Sequence, residues 1–172
     1  DEVICGFGRT GKMFGVEHFE IQPDLLTMAK GLTSGYVPLS AVGCTDEVMA
    51  PIENFFHLHT YGNHPVACAA GLKNIEILQT ENLVRNSREM GKYFLDGLKT
   101  LEPHPIVGEV RGIGLWLGLD FTSDKKSRAP FPISRTNNII ARAKQDGVLF
   151  KTMGSALEFA PPLIITKPDI DE

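Results

Sequence analysis

The sequence has 172 residues, 42% of them hydrophobic and 22% charged, an ordinary globular balance that excludes a disordered chain or a collagen-like repeat. Lys and Arg total 17 against 21 Asp and Glu, a formal charge of −4, which is the wrong sign for a general nucleic-acid footprint. The longest apolar stretches, such as Ala67 to Leu72, fall far short of the roughly 20 residues that span a bilayer. Cys5, Cys44 and Cys68 form no C-x-x-C pair and suit a reducing compartment, so a soluble, cytoplasmic protein is expected, with no nucleic-acid or membrane partner.

Asp1 to Cys5 reads as the end of a strand whose earlier residues are absent, and Thr166 to Glu172 as a capped helix start that breaks off, so the sequence is expected to be an internal piece of a longer protein. Gly and Pro punctuate the first 40 residues and leave room only for short elements. Pro38 to Cys44 reads as a short buried strand, and Thr45 to Met49 as a capped helix start. From Pro65 to Leu101 the apolar spacing predicts two helices broken near Thr80. Val107 to Phe121, apolar at alternate positions towards its end, predicts a hairpin or bent strand. Asp124 to Arg128 reads as a solvated loop, and Ser134 caps a helix that runs to about Gln145 and stops at Gly147. Val148 to Phe150 and Leu157 to Phe159 read as two more strands. A domain boundary is expected near residues 101–106, between a Gly-rich α/β part and a smaller α+β part.

Four features carry chemistry. Gly6 to Met13 satisfies both G-x-G-x-x-G and most of a P-loop, but Gly15 and Pro23 interrupt the helix that should follow, and Met13 stands where a Mg²⁺-binding hydroxyl belongs, so a glycine-rich turn is the better reading. Lys30 has small or apolar neighbours on both sides; if buried, desolvation would favour the neutral amine that attacks an aldehyde, whereas a lysine before Gly is more often the last residue of a helix. His57, His59 and His64 lack the further ligands of a zinc site, so no metal is expected, and Thr60 with the backbone N–H groups before Pro65 could hold an anion such as phosphate. Asp1, at a strand end, points to the crevice where open α/β sheets bind ligands.

In their joint order these residues resemble the class III pyridoxal-phosphate aminotransferases, a fold-type I group. Asp1-Glu2-Val3 with Gly6-Phe7-Gly8-Arg9-Thr10-Gly11 is similar to that family's cofactor-ring segment, Ala29-Lys30-Gly31-Leu32 to its Schiff-base lysine, and Thr60-Tyr61-Gly62-Asn63-His64-Pro65 to its phosphate-binding loop. The resemblance runs on through Val110-Arg111-Gly112-Ile113-Gly114 to Ala160-Pro161-Pro162-Leu163-Ile164-Ile165. It implies an α/β fold, part of a large domain with a mostly parallel sheet over residues 1–103, and a truncated small α+β domain over 104–172. It implies pyridoxal 5'-phosphate as cofactor, with Lys30 catalytic, Asp1 on the ring nitrogen, Val3 on the ring face, and Thr60 on the phosphate of the neighbouring subunit in a homodimer.

The implied reaction is transamination of an ω-amino acid or amine, such as β-alanine or taurine, with pyruvate or another oxo acid. A pyridoxal-phosphate aminomutase or racemase of the same fold shares the lysine and aspartate chemistry and is the alternative; a nucleotide-binding module built on Gly6 to Lys12 is the remote one. Glu158 replaces the arginine that ornithine-type members carry, which disfavours that substrate. Lys151 aligns with the carboxylate-binding arginine of β-alanine:pyruvate-like members and is the substrate-binding candidate, as a point charge rather than a bidentate fork. Leu58 replaces a family glycine.

Overall fold

A computed structural model describes residues 1–54, 56–57 and 59–172. Phe55 and Leu58 lie outside the described residues, and with them the expected substitution at Leu58. The chain forms two compact units, Asp1–Arg85 and Asn86–Glu172.

The first unit contains strands β1 (Leu25–Met28) and β2 (Ala41–Cys44) and helices α1 (Asp46–Met49) and α2 (Pro65–Thr80). The strands pair antiparallel, with Leu25 opposite Cys44 and Met28 opposite Ala41. Pro65 begins α2, where its fixed φ suits the first turn and its missing N–H leaves no bond unmade. Ala67, Gly71 and Leu78 form the buried side of α2, and the small size of Gly71 brings the helix to within 3.4 Å of Leu39 and 3.6 Å of the Leu32 carbonyl, measured from the site of a Cβ.

Helix α3 (Leu83–Lys99), which belongs to the second unit from Asn86 on, leads to the hairpin β3 (Val107–Ile113) and β4 (Trp116–Asp124), then β5 (Ala129–Pro130), α4 (Ile133–Gln145), β6 (Lys151–Met153), β7 (Ala156–Phe159) and α5 (Lys167–Asp171). The sheet runs in the order β3-β4-β7-β6, with β5 on β4. Alternation along β4 turns Leu117, Leu119 and Phe121 to the core, where they join Leu98, Val107, Val110, Phe131 and Leu157. Each such side chain contributes about 1.5–3 kcal/mol by leaving water, which is what holds a small mixed layer together. Asn86 ties α3 to the segment after β7, its amide donating to Leu163 O at 2.7 Å and Ile165 O at 3.0 Å.

The two helices with a break and the 107–121 hairpin stand as the spacing predicts, and the expected 124–128 loop spans 125–128, Asp124 being the last residue of β4 and opposite Ala129. Several elements differ. Asp1 to Cys5 forms a turn rather than a strand, because its one backbone bond to a strand is Glu2 N–H to Thr27 O at 2.8 Å, too little for a ladder. Every strand pairing among the described residues is antiparallel; residues 29–40, which join β1 and β2, contain no crossover helix, so the mostly parallel sheet expected of this part is not formed within it. The strand expected over 38–44 is only β2, and it is half exposed, with Val42 65% accessible. The strand expected at 148–150 forms three residues later as β6, whose register against β7 pairs Lys151 with Glu158. Ser134 lies inside the first turn of α4, and Pro132 occupies the cap position.

Candidate active site

Glycine-rich residues 6–13 fold back on themselves, with Gly8 N–H donating to Met13 O at 3.3 Å and Gly11 N–H to Gly8 O at 3.0 Å. Only a 3-10 turn, Gly15–His18, follows. That agrees with a glycine turn and lacks the long helix on which a dinucleotide or nucleotide phosphate would sit. Phe7 is 5% exposed and meets Phe14 edge-on at 5.5 Å; Thr10 is buried and bonded through its hydroxyl to the His18 ring at 3.0 Å. Burial pushes the Arg9 guanidinium down from its usual value, and burial, seconded by Glu2, pushes the Cys5 thiol up.

Asp1 is exposed, and its Oδ1 accepts the Val3 N–H at 2.8 Å, closing a short side-chain turn. Asp1 and Val3 are therefore linked directly rather than by sharing a strand face. Glu2, between them, is 2% exposed, and its two carboxylate oxygens accept the N–H groups of Gly15 at 2.9 Å and Val16 at 2.8 Å.

Lys30 opens a 3-10 turn, Lys30–Leu32, directly after β1. It is neither buried nor at a helix C-terminus, the two positions that its neighbours suggest; the apolar residues beside it belong to β1 and to the buried Leu32. Its φ of +42° lies in the left-handed region, which a non-glycine residue occupies only when its surroundings impose it. The surroundings are specific. A Cβ on Gly31 would stand 3.1 Å from Gly6 O and from the Phe7 Cβ, so the glycine turn presses on the residue after Lys30. From the other side Asn74 of α2 donates its amide to Gly31 O at 2.7 Å and Leu32 O at 3.2 Å. Among the described residues Lys30 Nζ makes no hydrogen bond or ion pair, and is available to another group.

Thr60 and Tyr61 are exposed in the turn that enters α2, where Gly62 N–H donates to His59 O at 3.0 Å and Asn63 takes φ +54°. The His57 and His59 rings meet edge-on at 5.0 Å, and no group of three His, Cys, Asp or Glu among the described residues is placed to hold a metal. Thus the first unit carries Asp1, Val3, Lys30 and Thr60, on segments that Glu2, Gly31 and Asn74 tie to β1 and α2. Lys151 is in the second unit. It is exposed at the start of β6, with Nζ 3.9 Å from Glu158 Oε2, while Glu158 Oε1 accepts the Trp116 indole N–H at 2.9 Å.

Sequence reasoning missed Glu2 and Asn74. Glu2 stood beside a stronger candidate, and its partners lie 13 and 14 residues away. In sequence Asn74 stands beside Lys73 and near Glu76 and Gln79, and nothing local separates it from those other polar residues of the helix.

This α/β arrangement is that of solved transaminases. A Bacillus anthracis aminotransferase structure superposes with a TM-score of 0.95 at 40% identity, over 99% of this chain and 41% of that one. The (S)-enantioselective omega-transaminase from Thermomicrobium roseum does so with a TM-score of 0.93 at 44% identity, over 99% and 40%. Among curated sequences, the taurine–pyruvate aminotransferase of Bilophila wadsworthia is 43% identical over 100% of this chain and 41% of its own length. The family model for aminotransferase class III matches residues 1–172, and the chain belongs to that family. It spans about two-fifths of the length of these relatives. No helix among the described residues is long and apolar enough to cross a membrane.

Proposed function

We propose that the full-length protein is a pyridoxal 5'-phosphate-dependent transaminase that moves an amino group from an ω-amino acid or amine, such as β-alanine or taurine, to pyruvate or another oxo acid. Class III members generally depend on this cofactor, and the residues here fit it: an unpaired primary amine, a carboxylate and a hydroxyl lie in one unit. The observation that carries the reading is the Lys30 turn, held in a left-handed conformation between Gly6–Phe7 and Asn74 with its amine unengaged. Six other non-glycine residues among those described, including Phe7 and Asn63, also take a positive φ; Lys30 stands apart in having its turn clamped from both sides and its amine unengaged.

When bound, pyridoxal phosphate supplies an aldehyde for an amine and a ring that draws electrons from the substrate carbon. Lys30 Nζ would hold the cofactor covalently and, as a free amine, would serve as the base that takes and returns a proton at the substrate carbon. Asp1 would keep a proton on the ring nitrogen, which strengthens the electron withdrawal. Val3 would pack on the ring face. Thr60 would donate its hydroxyl to the phosphate, in this reading for the neighbouring subunit of a cytoplasmic homodimer. Lys151 would meet the substrate's acidic end, in competition with Glu158. Residues 1–103 then belong to a fold-type I large domain and 104–172 to the small domain.

Borohydride reduction of the full-length protein with pyridoxal phosphate, followed by peptide mass mapping, is expected to place the pyridoxyl label on Lys30, and Lys30→Ala to abolish it. Label elsewhere overturns the assignment. Alanine is expected to accumulate from pyruvate with taurine or β-alanine as donor; an isomerised donor with no alanine would mean an aminomutase or racemase instead.

A further inference from the structure

The geometry points to Glu2 as a positioning residue of the cofactor site, one that fixes the Asp1–Val3 turn and the Lys30 turn together. The inference rests on the proposed roles of Asp1 and Lys30, but its structural part stands apart from them. Glu2 is 2% exposed, which is unusual for an ionisable side chain unless its oxygens are fully used. Here they are. Oε2 takes the Gly15 N–H at 2.9 Å and Oε1 takes the Val16 N–H at 2.8 Å, the opening donors of the Gly15–His18 turn. The backbone of Glu2 is engaged as well, its N–H donating to Thr27 O at 2.8 Å and its carbonyl accepting Gly6 N–H at 3.0 Å. One residue therefore joins the two ends of the loop between positions 3 and 14 and fastens both to β1, three residues before Lys30.

The contact is also tight enough to transmit position. A Cβ on Gly6 would stand 2.7 Å from Glu2 O, and a Cβ on Gly15 would stand 3.0 Å from the Cys5 Cβ and 3.4 Å from both Glu2 carboxylate oxygens. On its far side the same loop presses Gly6 O and Phe7 against Gly31. Loosening Glu2 thus frees Asp1 and Val3 at one end and removes at the other the wall that holds Lys30 at φ +42°. Glu2 touches neither Lys30 nor the candidate ring contacts of Asp1, so it acts through them.

The discriminating experiment compares full-length wild-type protein with Glu2→Gln and Gly15→Ala. Glutamine keeps the shape but turns an N–H₂ towards a backbone N–H; alanine at 15 keeps the carboxylate but presses at 3.0 Å on the Cys5 Cβ, inside the loop that Glu2 closes. Hydrogen exchange read by mass spectrometry without added cofactor is expected to rise about tenfold, the effect of losing one charge-assisted hydrogen bond, in peptides covering 13–18 and 29–34, and to stay unchanged in 116–124. With pyridoxal phosphate added, the visible absorption band of the bound cofactor is expected to shift its pH midpoint and its dissociation to quicken. Exchange that rises equally in all three peptides, or only in 13–18, overturns the inference, as does an unmoved pH midpoint. A wild-type protein that takes up no cofactor would overturn the proposed function, while the exchange comparison would still decide whether Glu2 couples the two turns.

Discussion

Asn74 donates its amide to Gly31 O at 2.7 Å, so the third turn of α2 grips the backbone one residue beyond Lys30. The same amide reaches Leu32 O at 3.2 Å. Two carbonyls of one 3-10 turn are thereby held by a single side chain from a helix whose entry loop carries Thr60. Removing it as Asn74→Ala is expected to destabilise the protein by about 1–2 kcal/mol, the loss of a partly buried hydrogen-bond pair. Asn74→Asp, which aims acceptors at acceptors, is expected to cost more. Urea unfolding measures both; an alanine variant as stable as wild type sinks the anchoring role.

The backbone of Lys30 is the second case. A non-glycine residue in the left-handed region costs roughly 1–2 kcal/mol, so Lys30→Gly is expected to be more stable than Lys30→Ala by about 1 kcal/mol, although both lack the amine. Thermal unfolding of the two variants without cofactor tests this. Equal midpoints would mean that the turn relaxes once the lysine is gone.

Two glycines of α3 are expected to respond in opposite ways. At Gly91 a Cβ would fall on the carbonyl oxygen of Gly114, a backbone atom that cannot move aside, whereas at Gly97 nothing lies within 4 Å. Gly91→Ala is therefore expected to cost about 3 kcal/mol or more by overpacking. Gly97→Ala is expected to gain about 1 kcal/mol from helix propensity. Denaturant titration of each variant measures the difference, and a tolerated Gly91→Ala contradicts the close approach of α3 to the β3–β4 hairpin.

The hydroxyl of Thr166 and its backbone N–H donate to Asp169 Oδ2 at 2.6 and 2.8 Å and hold that carboxyl below its ordinary value of 3.8. Because the folded value is the lower one, the cap's contribution is present above pH 3.8 and is lost as pH falls through the folded value. Carbon NMR of the Asp169 carboxyl during an acid titration is expected to show a midpoint below 3.8, returning towards it in Thr166→Val. A wild-type midpoint at or above the ordinary value contradicts the capping box at the start of α5.

Local pattern was enough for much of this protein. The apolar spacing of α2 and α3, the alternation of β4 and the turn residues at 124–128 depend on neighbours within a few positions, and the order of Asp1, Lys30 and Thr60 needs nothing but spacing. Pairing was not legible in the same way. Whether Asp1 to Cys5 joined a ladder, whether β1 and β2 ran antiparallel, and whether Lys30 sat on a helix or a strained turn were settled by partners distant in the chain: Thr27 for Glu2, Cys44 for Leu25, Asn74 for Gly31. Periodicity records which face of an element is apolar, but a hydrogen bond across 40 residues leaves no period. Glu2 shows the difference most plainly, since its letter announces a solvated acid and only the folded loop gives it two backbone donors and a place out of water.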